Sequence, residues 1–282
     1  MAYRRWIPAA FCAALVVLCL TSCSSGPSAP QPGTPAFYWG AAGAMWRSGD
    51  YLKTLDNLSH LTANQNEFRA KAQPWEVVVA LGVARGNLDL SDACDTAIHK
   101  SPAMAGVLRR QMSVWRSNGN STALELADSF HKFAQENKQA TIPLEFSWPP
   151  AGNATPPPQR DRFAAGSPLS PSDMEKLELA MIQRGVMLTA ARAVGAGDDT
   201  ARGLEVFKQP KPAVSTEVFM TGMAQALYDL SALYGPKQLD LPNRRELLVN
   251  LATSAAKPYP KNKDAAALLA KVDKEAKAKG RK

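Results

Sequence analysis

The sequence predicts an all-α fold, on three observations. Apolar residues recur at helical spacing over long stretches, most plainly at Met220, Met223, Leu227, Leu230 and Tyr234. Start and stop signals bracket such stretches, with Ser172-Asp173-Met174-Glu175 in front of one and Gly235-Pro236 behind another. Strand-like alternation is scarce between Pro35 and about Asn137, where Ala, Leu, Val and Trp are abundant.

The chain opens with Arg4 and Arg5 and continues in an apolar run from Trp6 to Leu20, broken only by Pro8. Charge followed by about 15 apolar residues is the order of an export signal, and the run is shorter than the roughly 20 residues of a spanning helix. It ends in Leu20-Thr21-Ser22-Cys23. That tetrad resembles the lipobox of bacterial lipoproteins: an aliphatic residue, two small ones and a cysteine. The resemblance implies a leader over residues 1–22, cleavage before Cys23, diacylglycerol on its thiol and an acyl chain on the new amino terminus. Two or more chains give stable attachment to a bilayer. Ser24 stands where an Asp usually signals retention in the inner membrane, so the resemblance points to an outer membrane, facing the periplasm. Cys12 and Cys19 leave with the leader, and Cys94 is then without a partner for an intramolecular disulfide.

Residues 23–35 form a Ser/Pro-rich tether, SSGPSAPQPGTP after Cys23. Such a composition builds no core. Extended as polyproline II at about 3.1 Å per residue it reaches roughly 35 Å, enough to hold a folded body off a lipid surface.

Residues 36–140 are expected to form a helical-repeat domain. Three turn signals recur in it: Ser48-Gly49-Asp50, Arg85-Gly86-Asn87 and Asn118-Gly119-Asn120. Their central residues tolerate the left-handed conformation that ends a helix, and a period of 30–40 residues suggests repeats. The segment resembles tetratricopeptide repeats, with Gly49-Asp50-Tyr51 at the first turn, Trp75 ahead of the second and Pro102 as a closing proline. The resemblance implies stacked helix pairs in an α-α superhelix. It also implies a concave groove, for which Trp39, Trp46, Trp75 and Arg109 on the first helices are the candidate lining residues.

Residues 141–171 carry eight prolines and are expected to be a linker between domains, with Pro156 to Arg160 readable as a polyproline ligand. A second helical block is expected over residues 172–256. Its helices should start at the Ser172 capping box, run from about Ser215 to Tyr234, and run from about Asn243 to Ala256. A further helix, from about Asp264 to Lys279, belongs to a basic tail over residues 257–282.

The formal charge of the whole chain is +8, and it falls to +6 once Arg4 and Arg5 leave with the leader. Lys257 to Lys282 holds nine basic and three acidic residues and accounts for that excess. Lys271, Lys274, Lys277 and Lys279 are therefore candidates for attraction to an anionic glycan or lipid surface. An exported chain is not expected to meet nucleic acid.

Signals of catalysis are missing. There is no Gly-x-Ser-x-Gly, no His-Glu-x-x-His and no phosphate-binding Gly-x-x-x-x-Gly-Lys. His60, His99 and His131 follow the three turn glycines by 11–13 residues, which in the repeat reading makes a spaced row on second helices rather than a ligand cluster. Asp95 and His99 are one helical turn apart and can pair. No cofactor or metal is implied. The expectation is a non-enzymatic, membrane-anchored envelope lipoprotein that presents a helical-repeat scaffold to a protein partner. The alternatives are a peptidoglycan-binding or anionic-surface module led by the basic tail, and an enzyme of another kind.

Overall fold

A computed structural model describes residues 30–236 and 238–279; the leader and Cys23 lie outside them. Ten α-helices and one two-stranded ribbon make up the regular structure among the described residues, which bears out the all-α class.

Helix α1 (Pro35–Ser48) starts where the tether ends. The Thr34 side chain accepts from the Phe37 amide, and Pro35 occupies the first turn, where no backbone donor is needed. Gly49, with φ 76°, ends it in the left-handed conformation, and Asp50 caps α2 (Tyr51–Thr62) by accepting from the Lys53 amide. Ser48-Gly49-Asp50 is thus the predicted corner.

The other two predicted corners are not turns. Arg85-Gly86-Asn87 lies inside α3 (Arg69–Lys100), and Asn118-Gly119-Asn120 lies inside α4 (Ala105–Glu136). Each of these helices has 32 residues, about 48 Å at 1.5 Å per residue. The chain reverses between them at the short 3-10 turn Pro102–Met104, so Pro102 marks a true corner. The glycines serve close helix contact instead. A Cβ on Gly82 would stand 2.4 Å from the Val186 Cα, and one on Gly86 2.7 Å from the Ile182 Cα. A Cβ on Gly119 would strike the Leu88 side chain at 2.7 Å.

The segment over residues 141–171 is not a free linker. Thr141–Pro143 (β1) pairs antiparallel with Ala213–Ser215 (β2), Ile142 opposite Val214. Ile142, Leu144 and Phe146 alternate inward and are buried. The segment continues into α5 (Pro158–Ala164), whose Phe163 packs on Trp115. Proline bars helix but tolerates an extended edge strand, so a proline-rich stretch can still be a packed strap.

Helix α6 (Pro171–Ala193) starts two residues earlier than predicted: Ser170, not Ser172, caps it by accepting from the Asp173 amide, with Pro171 at the first position. Next come α7 (Thr200–Phe207), α8 (Thr216–Ala232), α9 (Pro242–Ala256) and α10 (Lys263–Lys279). The last three match their predicted spans to within about two residues.

One hydrophobic core joins residues from both sides of the strap. It runs from Trp46 and Trp75 through Phe146 and Val186 to Phe219, Leu227, Leu248 and Leu268. The proposed division between a repeat domain and a second block therefore does not appear in the packing. A second, smaller cluster gathers Leu90, Cys94, Leu108, Trp115, Phe163 and Met181. Helix α10 docks through Ala265 and Leu268, so the basic segment is a packed helix rather than a loose tail.

Adding one methyl group at the tightest crossing tests this arrangement. The Cβ of Gly222→Ala on α8 would lie 1.8 Å from the Arg192 carbonyl oxygen. Its expected cost is about 3 kcal/mol or more. Gly40→Ala, on an open stretch of α1 with nothing within 4 Å, should instead add about 0.5–1 kcal/mol. Urea denaturation of the two variants measures the contrast.

Candidate functional site

Three of the four candidate groove residues converge, but on the chain's own strap. Trp39, Trp46 and Trp75 each stack or tilt against the Phe146 ring, with centroids 5.2, 5.3 and 5.1 Å away. Trp46 is 1% and Trp75 3% exposed, so both are core residues; Trp39 is half-buried between Phe68 and Phe146. The Trp46 indole donates to the Ser147 carbonyl at 3.1 Å, and the Tyr51 hydroxyl to the Ala151 carbonyl at 3.1 Å. Arg109 is exposed near the start of α4 and takes no part. The three indoles form an aromatic cluster that the chain's own strap covers.

An open recess lies elsewhere. The end of α2 (Ser59, Thr62, Ala63), the start of α3 (Arg69, Gln73, Glu76) and the second half of α4 (Glu125, Asp128, Ser129, Lys132) enclose a cleft of about 400 Å³. Each helix contributes residues at one-face spacing: i, i+3 and i+4 on α2, i, i+4 and i+7 on α3, and i, i+3, i+4 and i+7 on α4. Arg69 grips Glu136 with two nitrogens, Nη2 to Oε1 at 2.8 Å and Nε to Oε2 at 3.1 Å, and also donates to the Thr62 carbonyl. Gln73 donates to the same carboxylate at 2.6 Å. Those contacts hold the Glu136 carboxyl below its ordinary range. Lys132 pairs with Asp128 at 2.6 Å.

Glu76 sits at the back of the cleft, 7% exposed. The Ser129 hydroxyl donates to its Oε1 at 3.2 Å, and no cation stands within ion-pair distance of it among the described residues. Burial pushes its carboxyl above the ordinary range. The Thr62 and Ser129 hydroxyls and the charges of Lys132 and Arg69 pull the other way without cancelling that effect. The cleft therefore holds a carboxylate whose charge is incompletely neutralised.

No protein family, curated protein or solved structure matches this chain.

The remaining predicted residues are dispersed. His60 is exposed and stacks on Tyr38 at 4.4 Å. His99 is the penultimate residue of α3 and His131 lies near the end of α4; because the two helices run antiparallel, these residues stand at opposite ends of the hairpin and form no row. His99 does meet Asp95, at 3.7 Å. The Cys94 thiol is buried, approaches the Leu108 carbonyl at 3.2 Å and is pushed up to about 11 by that burial. Among the described residues no three His, Cys, Asp or Glu are grouped to hold a metal, and no helix is long and apolar enough to cross a membrane. On α10, Lys271 lies over the Tyr228 ring at 4.5 Å, Lys274 and Lys277 are exposed, and Lys279 is the final residue of the helix. Cys23 lies outside the described residues.

Removing the Phe146 ring should cost about 3–5 kcal/mol. Phe146→Ala should also hydrate Trp39, Trp46 and Trp75, so a lower denaturation midpoint and red-shifted tryptophan emission are expected together.

Glu76 makes a pH prediction. Its pKa in the folded chain lies above its unfolded value, so the proton stabilises the fold. That contribution is complete below the ordinary glutamate range and is lost as pH rises through the raised value. Glu76→Gln keeps an acceptor for Ser129 and removes the charge. Thermal melts from pH 4 to 8 should show this slope flattened. At neutral pH the variant should be more stable by about 1 kcal/mol, a Tm gain of about 2–4 °C.

Proposed function

We propose that this chain is a lipid-anchored envelope protein whose helical body is a non-catalytic binding scaffold. The observation that carries the reading is Leu20-Thr21-Ser22-Cys23, placed after a charged and apolar leader and before a twelve-residue Pro/Ser/Gly tether. The tether feeds straight into the capped start of α1 at Pro35, so lipid on Cys23 would hang the bundle from a membrane by that one strand of chain. Ser24 favours the outer membrane, facing the periplasm. For the partner's place on the body, the filled aromatic groove is a poor candidate and the cleft between α2, α3 and α4 a better one, because it is open and lined by hydrogen-bonding groups.

A second reading, binding of an anionic glycan or lipid surface, draws on the exposed Lys274 and Lys277 of α10. Truncating the segment would remove the core residues Ala265 and Leu268, so charge reversal at those two lysines is the cleaner probe. Salt-sensitive binding to envelope material should drop under this second reading and persist under the first.

The anchor is tested in a bacterial host by metabolic labelling with a palmitate analogue and by detergent phase separation. The unaltered chain should carry label and partition with membranes. Cys23→Ala should lose the label and appear in the soluble fraction. Label on the variant, or unlabelled and freely released parent protein, would defeat the proposal.

A further inference from the structure

The cleft has a chemical preference that can be read from its charges. Two of its anions are answered from within: Asp128 by Lys132 at 2.6 Å, and the adjoining Glu136 by Arg69 at 2.8 Å. The same two pairs occupy both cations, so the cleft has no free positive group to offer an anion. Glu76 and Glu125 are left without an ion-pair partner within 4 Å among the described residues, and Glu76 is more than nine-tenths buried. Hydroxyls of Ser59 and Ser129 and the side-chain oxygen of Gln73 are further acceptors along the walls. The described residues bring no group of three metal ligands together here. The recess, about 400 Å³, is of the size that takes small ligands or a long side chain.

We propose that the cleft binds a primary ammonium group carried on an aliphatic chain, with the Glu76 carboxylate as its counter-ion at the back and Glu125 as the second anion at the mouth. An ammonium offers three donors and a compact charge, which suits one carboxylate flanked by hydroxyl and amide oxygens. The proposal rests on the binding role given to the cleft above, and not on the lipid anchor. Two sources share this chemistry: a free aliphatic diamine, and a lysine side chain presented by a protein partner.

The test uses the full-length protein in detergent at low ionic strength and titration calorimetry with two probes, 1,5-diaminopentane and Nα-acetyl-lysine methylamide. Nα-acetyl-norleucine methylamide, which lacks the ammonium, is the control probe. Saturable one-site binding is expected for at least one amine and none for the control. Binding of the diamine alone assigns the site to free amines; binding of the capped lysine assigns it to a side chain. Glu76→Gln should weaken binding at least tenfold and Glu125→Gln by a smaller factor. Glu205→Gln, an exposed carboxylate on α7 paired with Lys208, should leave it unchanged. Glu125 is exposed, so its variant keeps the test decisive should Glu76→Gln disturb the fold. The proposal is overturned if neither amine binds at millimolar concentration, if both cleft variants bind as the parent does, or if Glu205→Gln weakens binding as much as Glu76→Gln. Failure of the anchor would appear separately, in the labelling of Cys23.

Discussion

The fold depends on one steric constraint, the contact of α3 and α6 through their backbones. Helices with ordinary side chains pack with axes 8–10 Å apart. At this crossing glycine faces glycine: a Cβ on Gly185 would stand 2.1 Å from the Gly82 carbonyl oxygen, and Gly86 lies one turn further along the same row of α3. Small residues four apart let two backbones touch, which gains dispersion contacts that side chains would otherwise hold apart. Because the two helices are so close, each is covered on nearly every side. Burial is continuous from Ala72 to Ala84 on α3 and from Gly185 to Val194 on α6. Helix α8 follows the same rule where it meets the end of α6, with Gly222 against the Arg192 carbonyl.

The strap completes what those helices leave uncovered. The first helix pair and the start of α3 present Trp39, Trp46 and Trp75, a surface too apolar to face water, and Phe146 closes it. The eight prolines leave the strap with fewer amide donors than carbonyl acceptors, and only its first residues pair in the ribbon with β2. Side chains of the body supply the donors instead: the Trp46 indole, the Tyr51 hydroxyl, and Arg184, whose Nε reaches the Ala154 carbonyl at 2.8 Å. The prolines thus hold the segment extended while the body provides its hydrogen bonds.

What the sequence makes legible follows from the same physics. The spans of α8, α9 and α10 could be read because their ends carry local signals, such as Ser215 before α8 and Gly235-Pro236 after it. Helix α6 was legible from its start signal and from Met174, Leu177, Met181, Leu188 and Ala191 at helical spacing. Helix α3 carries no such clean stripe, since its continuously buried first half has no polar face to set a period. Gly86 and Gly119 suggested turns because glycine serves both turns and close crossings. The four-residue spacing of Gly82 and Gly86 was the available sign of the second use. The strap showed its inward alternation at Ile142, Leu144 and Phe146, but the prolines around it pointed to a linker. Of the cleft nothing was legible. Glu125, Asp128, Ser129 and Lys132 look like any solvated helix face, and only the fold reveals that two other polar rows stand opposite.

The cleft is also the place where packing is least favourable to the fold itself. Along the other half of the same hairpin, Gly119 admits Leu88 and the two long helices close tightly. Towards the start of α3 and the end of α4 the facing positions are polar, and the gap stays open. Leucine at Glu76 and Ser129 would fill it with no buried charge to accommodate, and replacing buried polar groups by apolar ones of similar volume is often neutral or stabilising. The chain instead keeps a carboxylate in a recess, with the Ser129 hydroxyl at 3.2 Å and both nearby cations committed to other partners. The low dielectric that makes an unpaired Glu76 unfavourable would strengthen its attraction to an arriving cation, because the interaction grows as water is excluded. A recess that weakens the folded state when empty and gains most from a positive charge when filled is what a binding site for that charge requires.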